Sequence, residues 1–254
     1  MTAYYNEFDP FAAAWLRELI KAGHIAPGEV DERSVEDVTP DDIRGFTQCH
    51  FFAGIGVWSY ALRQAGWPDD RPVWTGSCPC QPFSAAGKGK GFADERHLWP
   101  AFFHLIEQCR PVTVFGEQVA SKNGLAWLDL IQADLEGAGY AVGAVDSCAA
   151  GFGAPHIRQR LYWVGSSDSC REGLQRTYEY EESGETEIPS AWGELTRVHA
   201  TGSWKTWLSK SGTPVLVNGA TNRVGRVRGY GNAIVAPQAQ ALIEAFMEVK
   251  QWNS

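Results

Sequence analysis

Apolar positions along the 254-residue chain follow two different periods. Short runs at 48–52 (QCHFF), 72–76 (PVWTG), 112–116 (VTVFG), 140–145 (YAVGAV) and 160–165 (RLYWVG) have the length and composition of buried strands. Around them, 9–23, 57–66, 98–109, 125–139 and 237–250 space their apolar residues three and four apart, the mark of helices with one buried face. Gly23, Gly66 and Gly139 stand where helices stop. Strands alternating with helices predict an α/β fold, a mostly parallel, doubly wound sheet covered on both faces. Ligands then gather at the carboxyl ends of the strands. Residues 166–229 break the rhythm. They are rich in Gly, Ser, Thr, Trp and charge without a period, and read as a small insertion before the last helix; 179–187 (EYEESGETE) reads as an acidic loop.

Composition narrows the class. At 44% hydrophobic and 12% aromatic residues, the chain suits one large globular domain with a small appendage. No stretch approaches the roughly 18 apolar residues of a membrane span. The opening MTAYYNEFDPF has no basic region leading into an apolar core, so no secretory signal and a cytoplasmic location are expected. Six cysteines fit no small disulfide scaffold, and Cys78 and Cys80 are one residue apart rather than the two usual in zinc knuckles, so no metal is expected. A net charge of −8 argues against a protein that coats nucleic acid everywhere. The charge is uneven, however. Residues 1–42 hold ten acids against three bases, whereas 195–243 hold six bases and no acid. That basic stretch is either a docking face for a polyanion or an ordinary solvated surface.

Five short motifs carry chemistry. FFAGIG (51–56) ends a strand and opens a helix, where glycines admit a ligand to free helix N–H groups or simply make a turn. PCQPFS (79–84) places Cys80 after the strand 72–76, beside the loop SAAGKGKG; it is a nucleophilic thiol or a structural cysteine, and the flanking prolines favour the nucleophile. FGEQV (115–119) sets Glu117 at a strand end, either solvated or a proton donor if burial raises its pKa. APHIRQRLYWVG (154–165) puts Arg158 and Arg160 on one side of an entering strand by the period of two, as salt-bridge or site residues. RGYGNAIV (228–235) is a glycine turn into the last helix.

In this order the five motifs resemble the C5-cytosine DNA methyltransferase family, over residues 50–165 and 223–247. The resemblance implies a Rossmann-like fold, S-adenosylmethionine as cofactor and double-stranded DNA as substrate. It implies that Cys80 adds to C6 of a flipped cytosine, that Glu117 holds N3 and the exocyclic amine, that Arg160 grips O2 and that Arg158 supports the site. Phe52, Ala53, Gly54, Ile55 and Gly56 match the loop at the methionine end of the cofactor, and Asn232 a late motif that closes on it. Ser84 to Gly91 resembles the mobile loop that closes over DNA, so Gln81, Ser84, Lys88 and Lys90 are expected at the DNA, with Arg223 and Arg226 reaching it from the insertion. The sequence departs from the family at Gln118, where Asn is usual, at His156, where Gln is frequent, and at Val57, where a further glycine is frequent. The implied division is a catalytic domain over 1–165 plus 230–254 and a target-recognition region over 166–229, in a monomer without an obligatory protein partner. The alternatives are a transfer RNA cytosine methyltransferase, or a decayed nucleic-acid-binding protein of the same fold.

One piece is displaced relative to the family. Some tens of residues normally separate the glycine turn from Pro-Cys-Gln and carry one acid for the cofactor ribose and another for its adenine. Here only 57–78 intervene. The front of the chain resembles the missing unit. Residues 3–16 resemble the ribose-binding strand and helix, with Glu7 as the acid, and 28–38 resemble the next strand, with Asp37 for the adenine amine and Asp31 second. TPDD (39–42) starts a helix with Thr39 as cap and Pro40 first. Residues 38–47 can stretch roughly 33 Å, and passing one strand needs only about 10 Å. The expected sheet is therefore the family's own, with its second and third strands built first, then the first, then the fourth.

Overall fold

A computed structural model describes residues 2–78, 98–154, 157–167 and 233–252. The chain separates into two units, 1–174 with 224–254 and 175–223, and every described residue belongs to the first. The calls on Cys80, Gln81, Ser84, Lys88, Lys90, His156, Arg223, Arg226 and Asn232 lie outside the described residues.

Seven strands form one sheet: β1 (Ala3–Asn6), β2 (Gly28–Asp31), β3 (Gln48–Phe51), β4 (Val73–Gly76), β5 (Thr113–Val119), β6 (Ala141–Cys148) and β7 (Gln159–Ser166). The helices are α1 (Pro10–Lys21), α2 (Pro40–Ile43), α3 (Val57–Gln64), α4 (Trp99–Cys109), α5 (Lys122–Gly137) and α6 (Ala236–Trp252). The sheet order is β2-β1-β3-β4-β5-β7-β6. Read outward from β3, this is the doubly wound order 3-2-1-4-5, entered by the chain at its second strand. The rewired connectivity expected from the front of the chain is thus the one the sheet has. The link from β2 back to β3 crosses one face of the sheet through a 3-10 turn (Val35–Asp37) and α2, and buries Val35, Val38 and Ile43 as it goes. Pro40 is the first helical residue of α2, and the Thr39 backbone N–H donates to Asp42 Oδ2 at 2.8 Å.

The far end of the sheet is not parallel. β7 runs antiparallel to both β5 and β6. Only ten residues separate β6 from β7, occupied in part by a 3-10 turn (Ala149–Phe152), whereas a parallel crossover takes a dozen or more residues and a helix. Strand period alone does not reveal direction.

Two cores sandwich the sheet. On one face Phe51, Trp74, Val114, Leu161 and Trp163 pack under α4 and α5, with Trp99 and Trp127 among the fully buried rings. On the other, Phe115 and Tyr162 meet Trp58 of α3 and Ala239 and Ile243 of α6, while Tyr5 meets Leu16 of α1. Gly116 is needed for close approach: a Cβ there would lie 2.1 Å from Trp163 Cζ2. Among the described residues, no helix is long and apolar enough to cross a membrane.

Candidate active site

The turn from β3 into α3 bends sharply. Phe52, Gly54 and Gly56 all have positive φ, at 52°, 55° and 77°. Phe52 is held there although L-residues disfavour the region; its ring packs edge-on against Phe102 at 5.9 Å. Phe52, Ala53, Gly54 and Ile55 are half-buried and Gly56 is buried. A Cβ on Gly54 would meet nothing within 4 Å, so that side of the loop is open. Gly56 instead backs onto α1: a Cβ would come 3.0 Å from Leu16 Cδ2 and Ile25 Cδ1.

Glu7 follows β1 and reaches this loop. Its Oε2 accepts the Gly54 N–H at 2.7 Å and its Oε1 accepts the Asp9 N–H at 2.8 Å. The ladder continues past the strand ends, with Glu7 N–H donating to the Asp31 carbonyl at 2.9 Å and Ala53 N–H to the Asn6 carbonyl at 3.0 Å. The expected acid and the expected cofactor loop, 47 residues apart, therefore touch. Asp31 closes β2 beside them. It accepts from the Tyr4 hydroxyl at 2.7 Å and from Arg33 Nη2 at 2.7 Å, and these hydrogen bonds outweigh its partial burial and hold its carboxyl below the usual range. Asp37 lies farther on, exposed on the 3-10 turn, and its backbone carbonyl accepts from Arg33 Nη1 at 3.3 Å. Phe8, which sequence reasoning missed, is 72% exposed directly after Glu7. An aromatic following an acid at a strand end was the available signal.

These groups fit a nucleoside-bearing cofactor. An ionised carboxylate such as Glu7 only accepts hydrogen bonds, which is the chemistry that vicinal hydroxyls need. The open side of Gly54 lets a ligand approach the backbone.

The second cluster lies across the sheet. β5 runs past its expected end to Val119, so Glu117 is inside the strand rather than beyond it. In register, Glu117 opposes Tyr162 and Val119 opposes Arg160, which puts Arg160 diagonal to Glu117 on the same face. Arg160 Nε meets Glu117 Oε1 at 2.7 Å, with the two side chains 16% and 11% exposed. Arg160 Nη1 also donates to the Gln159 carbonyl at 2.7 Å. Burial pushes the Glu117 carboxyl up to about 7 in spite of the opposing charges of Arg160 and Arg158. Arg158, just before β7, donates from Nη2 to the Ala233 carbonyl at 3.0 Å, tying the start of β7 to the segment that enters α6.

Gln118 points to the opposite face and is buried. Its Oε1 folds back to accept the Val119 N–H at 2.9 Å, and Nε2 has no hydrogen-bond partner among the described residues. At the foot of the 79–84 motif, the Trp58 indole N–H donates to Ser77 Oγ at 3.0 Å, and the buried Cys78 thiol is pushed up by desolvation. Cys78 is thus an apolar core residue.

The sheet is thus doubly wound and Rossmann-like, with a glycine turn after β3 and a buried acid–guanidinium pair across β5 and β7. The comparisons go further. The chain belongs to the C-5 cytosine-specific DNA methylase family, whose model matches residues 67–204, more than half of the chain. It is 38% identical over 100 residues to the type II methyltransferase M.NlaX of Neisseria lactamica, covering 38% of this chain and 32% of that protein. It is 35% identical over 102 residues to M1.HphI of Haemophilus parahaemolyticus, covering 38% and 27%. It also aligns with the solved Dnmt2 methyltransferase of S. pombe at 14% identity and a TM-score of 0.40, over 74% of this chain and 57% of that one. The chain spans about a third of the length of the curated relatives it matches.

Proposed function

We propose that this chain is a DNA (cytosine-5-)-methyltransferase that moves a methyl group from S-adenosylmethionine to C5 of a cytosine turned out of double-stranded DNA. The observation that carries the reading is the buried Glu117–Arg160 pair: an acid that burial keeps protonated up to about 7, fixed by a guanidinium on the next strand. That is the donor set a pyrimidine edge needs. The Cys80 thiolate adds to C6, the ring electrons shift towards N3, and the Glu117 proton meets them there, while Arg160 donates to O2. C5 then carries enamine electron density and becomes the nucleophile. When bound, S-adenosylmethionine supplies an electrophilic methyl on a sulfonium sulfur. Release of the C5 proton and of the Cys80 sulfur restores the ring.

On the cofactor side, Glu7 would accept the ribose hydroxyls, Phe8 would offer a flat apolar face to the adenine, and Phe52 to Gly56 would wrap the amino-acid end. Asp37 or Asp31 would accept the adenine amine. Asn232 would close the site from the front of α6. Lys88, Lys90, Arg223 and Arg226 would meet phosphate, and Gln81 and Ser84 would approach the base.

The test is covalent trapping. Mixed with S-adenosylmethionine and duplex DNA carrying 5-fluorocytosine, the protein should give a complex that survives denaturing electrophoresis, because the C5 fluorine cannot leave as a proton does. The Cys80→Ser protein should give none. A wild-type protein that leaves no such complex on any duplex, while methylating cytosine in unmodified DNA, would refute the Cys80 chemistry; one that does neither would refute the whole reading.

A further inference from the structure

One guanidinium gathers the link that leaves β2. Arg33 Nε and Nη2 straddle Asp31 as a fork, at 3.0 Å and 2.7 Å from Oδ2. Nη2 also lies 3.3 Å from Asp42 Oδ2 in α2, and Nη1 donates to the Asp37 carbonyl at 3.3 Å. The strand end, the 3-10 turn and the first turn of α2 are thereby held by one side chain. The backbone of Arg33 is held in turn from β1. Asn6 is buried, and its Nδ2 donates to the Arg33 carbonyl at 2.9 Å; a buried amide needs such a partner. The next residue, Glu7, donates its N–H to the Asp31 carbonyl at 2.9 Å. A continuous set of contacts therefore runs from the acid beside the glycine turn to Asp37.

The Arg33 side chain is 46% exposed, and a single ion pair so placed adds little to stability. A charge-assisted fork does fix direction, however. A Lys ammonium can meet one carboxylate but cannot hold the fork and the carbonyl together. The two candidate acids for the adenine are left in different states. Both oxygens of Asp31 are engaged: Oδ1 accepts the Arg33 N–H at 2.9 Å, and Oδ2 accepts the Tyr4 hydroxyl at 2.7 Å as well as the fork. Asp37 is exposed, and its carboxylate has no hydrogen bond or ion pair among the described residues. We propose that Arg33 is a positioning residue for the cofactor, pinning the 3-10 turn against the end of β2 so that the Asp37 carboxylate, rather than that of Asp31, meets the adenine amine. This rests on the S-adenosylmethionine reading above.

The test compares S-adenosylhomocysteine with its purine riboside analogue, which lacks the 6-amino group, by calorimetry on the full chain. Wild type should prefer the amino compound by about tenfold, the size of one hydrogen bond to a charged group. Arg33→Lys keeps the charge and loses the fork. The preference should fall to about twofold or less, while the analogue binds nearly as it does to wild type. Arg33→Met separates geometry from charge. If the guanidinium acted by charge alone, its loss would leave the acids less compensated and raise the preference, whereas loss of positioning lowers it. Asp37→Asn should abolish the preference in wild type and change it no further in Arg33→Lys. Equal weakening of both compounds would make Arg33 a structural pin only, and that result, or a preference that survives in Arg33→Lys or in Asp37→Asn, overturns the proposal. So does a wild type that binds both compounds equally, although the cofactor reading then stands. A wild type that binds neither takes the cofactor reading down with it. Should Arg33→Met not fold, Arg33→Lys decides alone.

Discussion

Replacing Glu117 with Gln should make the protein more stable and far less active, and the first effect should depend on pH. Glu117 has an ordinary value of 4.5 when exposed and is lifted to about 7 in the fold, because burial disfavours its charge more than Arg160 and Arg158 compensate. A raised carboxyl binds its proton more tightly folded than unfolded. Its stabilising effect is therefore present below 4.5 and is lost as pH rises through about 7. At more than about 1 kcal/mol per pH unit, the ionised carboxyl costs the fold roughly 3 kcal/mol, most of it lost between pH 5 and 8.5. The side chain is 11% exposed, so solvent screens little of this. Gln does not titrate. In urea denaturation, the stability of Glu117→Gln relative to wild type should rise by roughly 2 to 3 kcal/mol from pH 5 to 8.5. Methylation at pH 7 should fall by about a hundredfold or more, since an amide gives no proton. A stability difference that stays constant across that range would refute the claim that burial, rather than the ion pair, rules this carboxyl.

Glu7→Ala removes the acceptor of two backbone N–H groups and should weaken S-adenosylmethionine binding by at least about tenfold in calorimetry; unchanged affinity would separate the front of the chain from the cofactor. Asp31→Asn and Asp37→Asn, measured the same way, should lose affinity at only one position, which identifies the acid facing the adenine. Gly116→Ala forces a methyl into the Trp163 ring, 2.1 Å away, and should cost at least about 2 kcal/mol in thermal or urea unfolding.

Much of this protein is legible without coordinates, and the reason differs from part to part. Burial imposes a period on side chains, so β3, β4 and helices such as α1, α4 and α6 could be read to within a few residues. Glycine turns are legible because few other residues tolerate positive φ, as at Gly54 and Gly56. Cys80, Glu117 and Arg160 could be nominated because their motifs, in that order, resemble those of the C5-cytosine DNA methyltransferase family. The front unit needed more than period, since four-residue strands such as Ala3–Asn6 and Gly28–Asp31 carry too few positions to show one.

Contacts between distant segments were not legible, because a strand's neighbours and direction are set by what packs around it rather than by its own residues. Nothing in RLYWVG says that β7 runs antiparallel between β5 and β6; the short link after β6 imposes it. That reversal lays Arg160 diagonally against Glu117, places Tyr162 opposite it, and buries the pair deeply enough to push the Glu117 carboxyl up. The meeting of Glu7 with Gly54 has the same origin. Residue types set what each group can do, but the desolvation and the 2.7 Å approaches arise only when the sheet brings remote strands side by side.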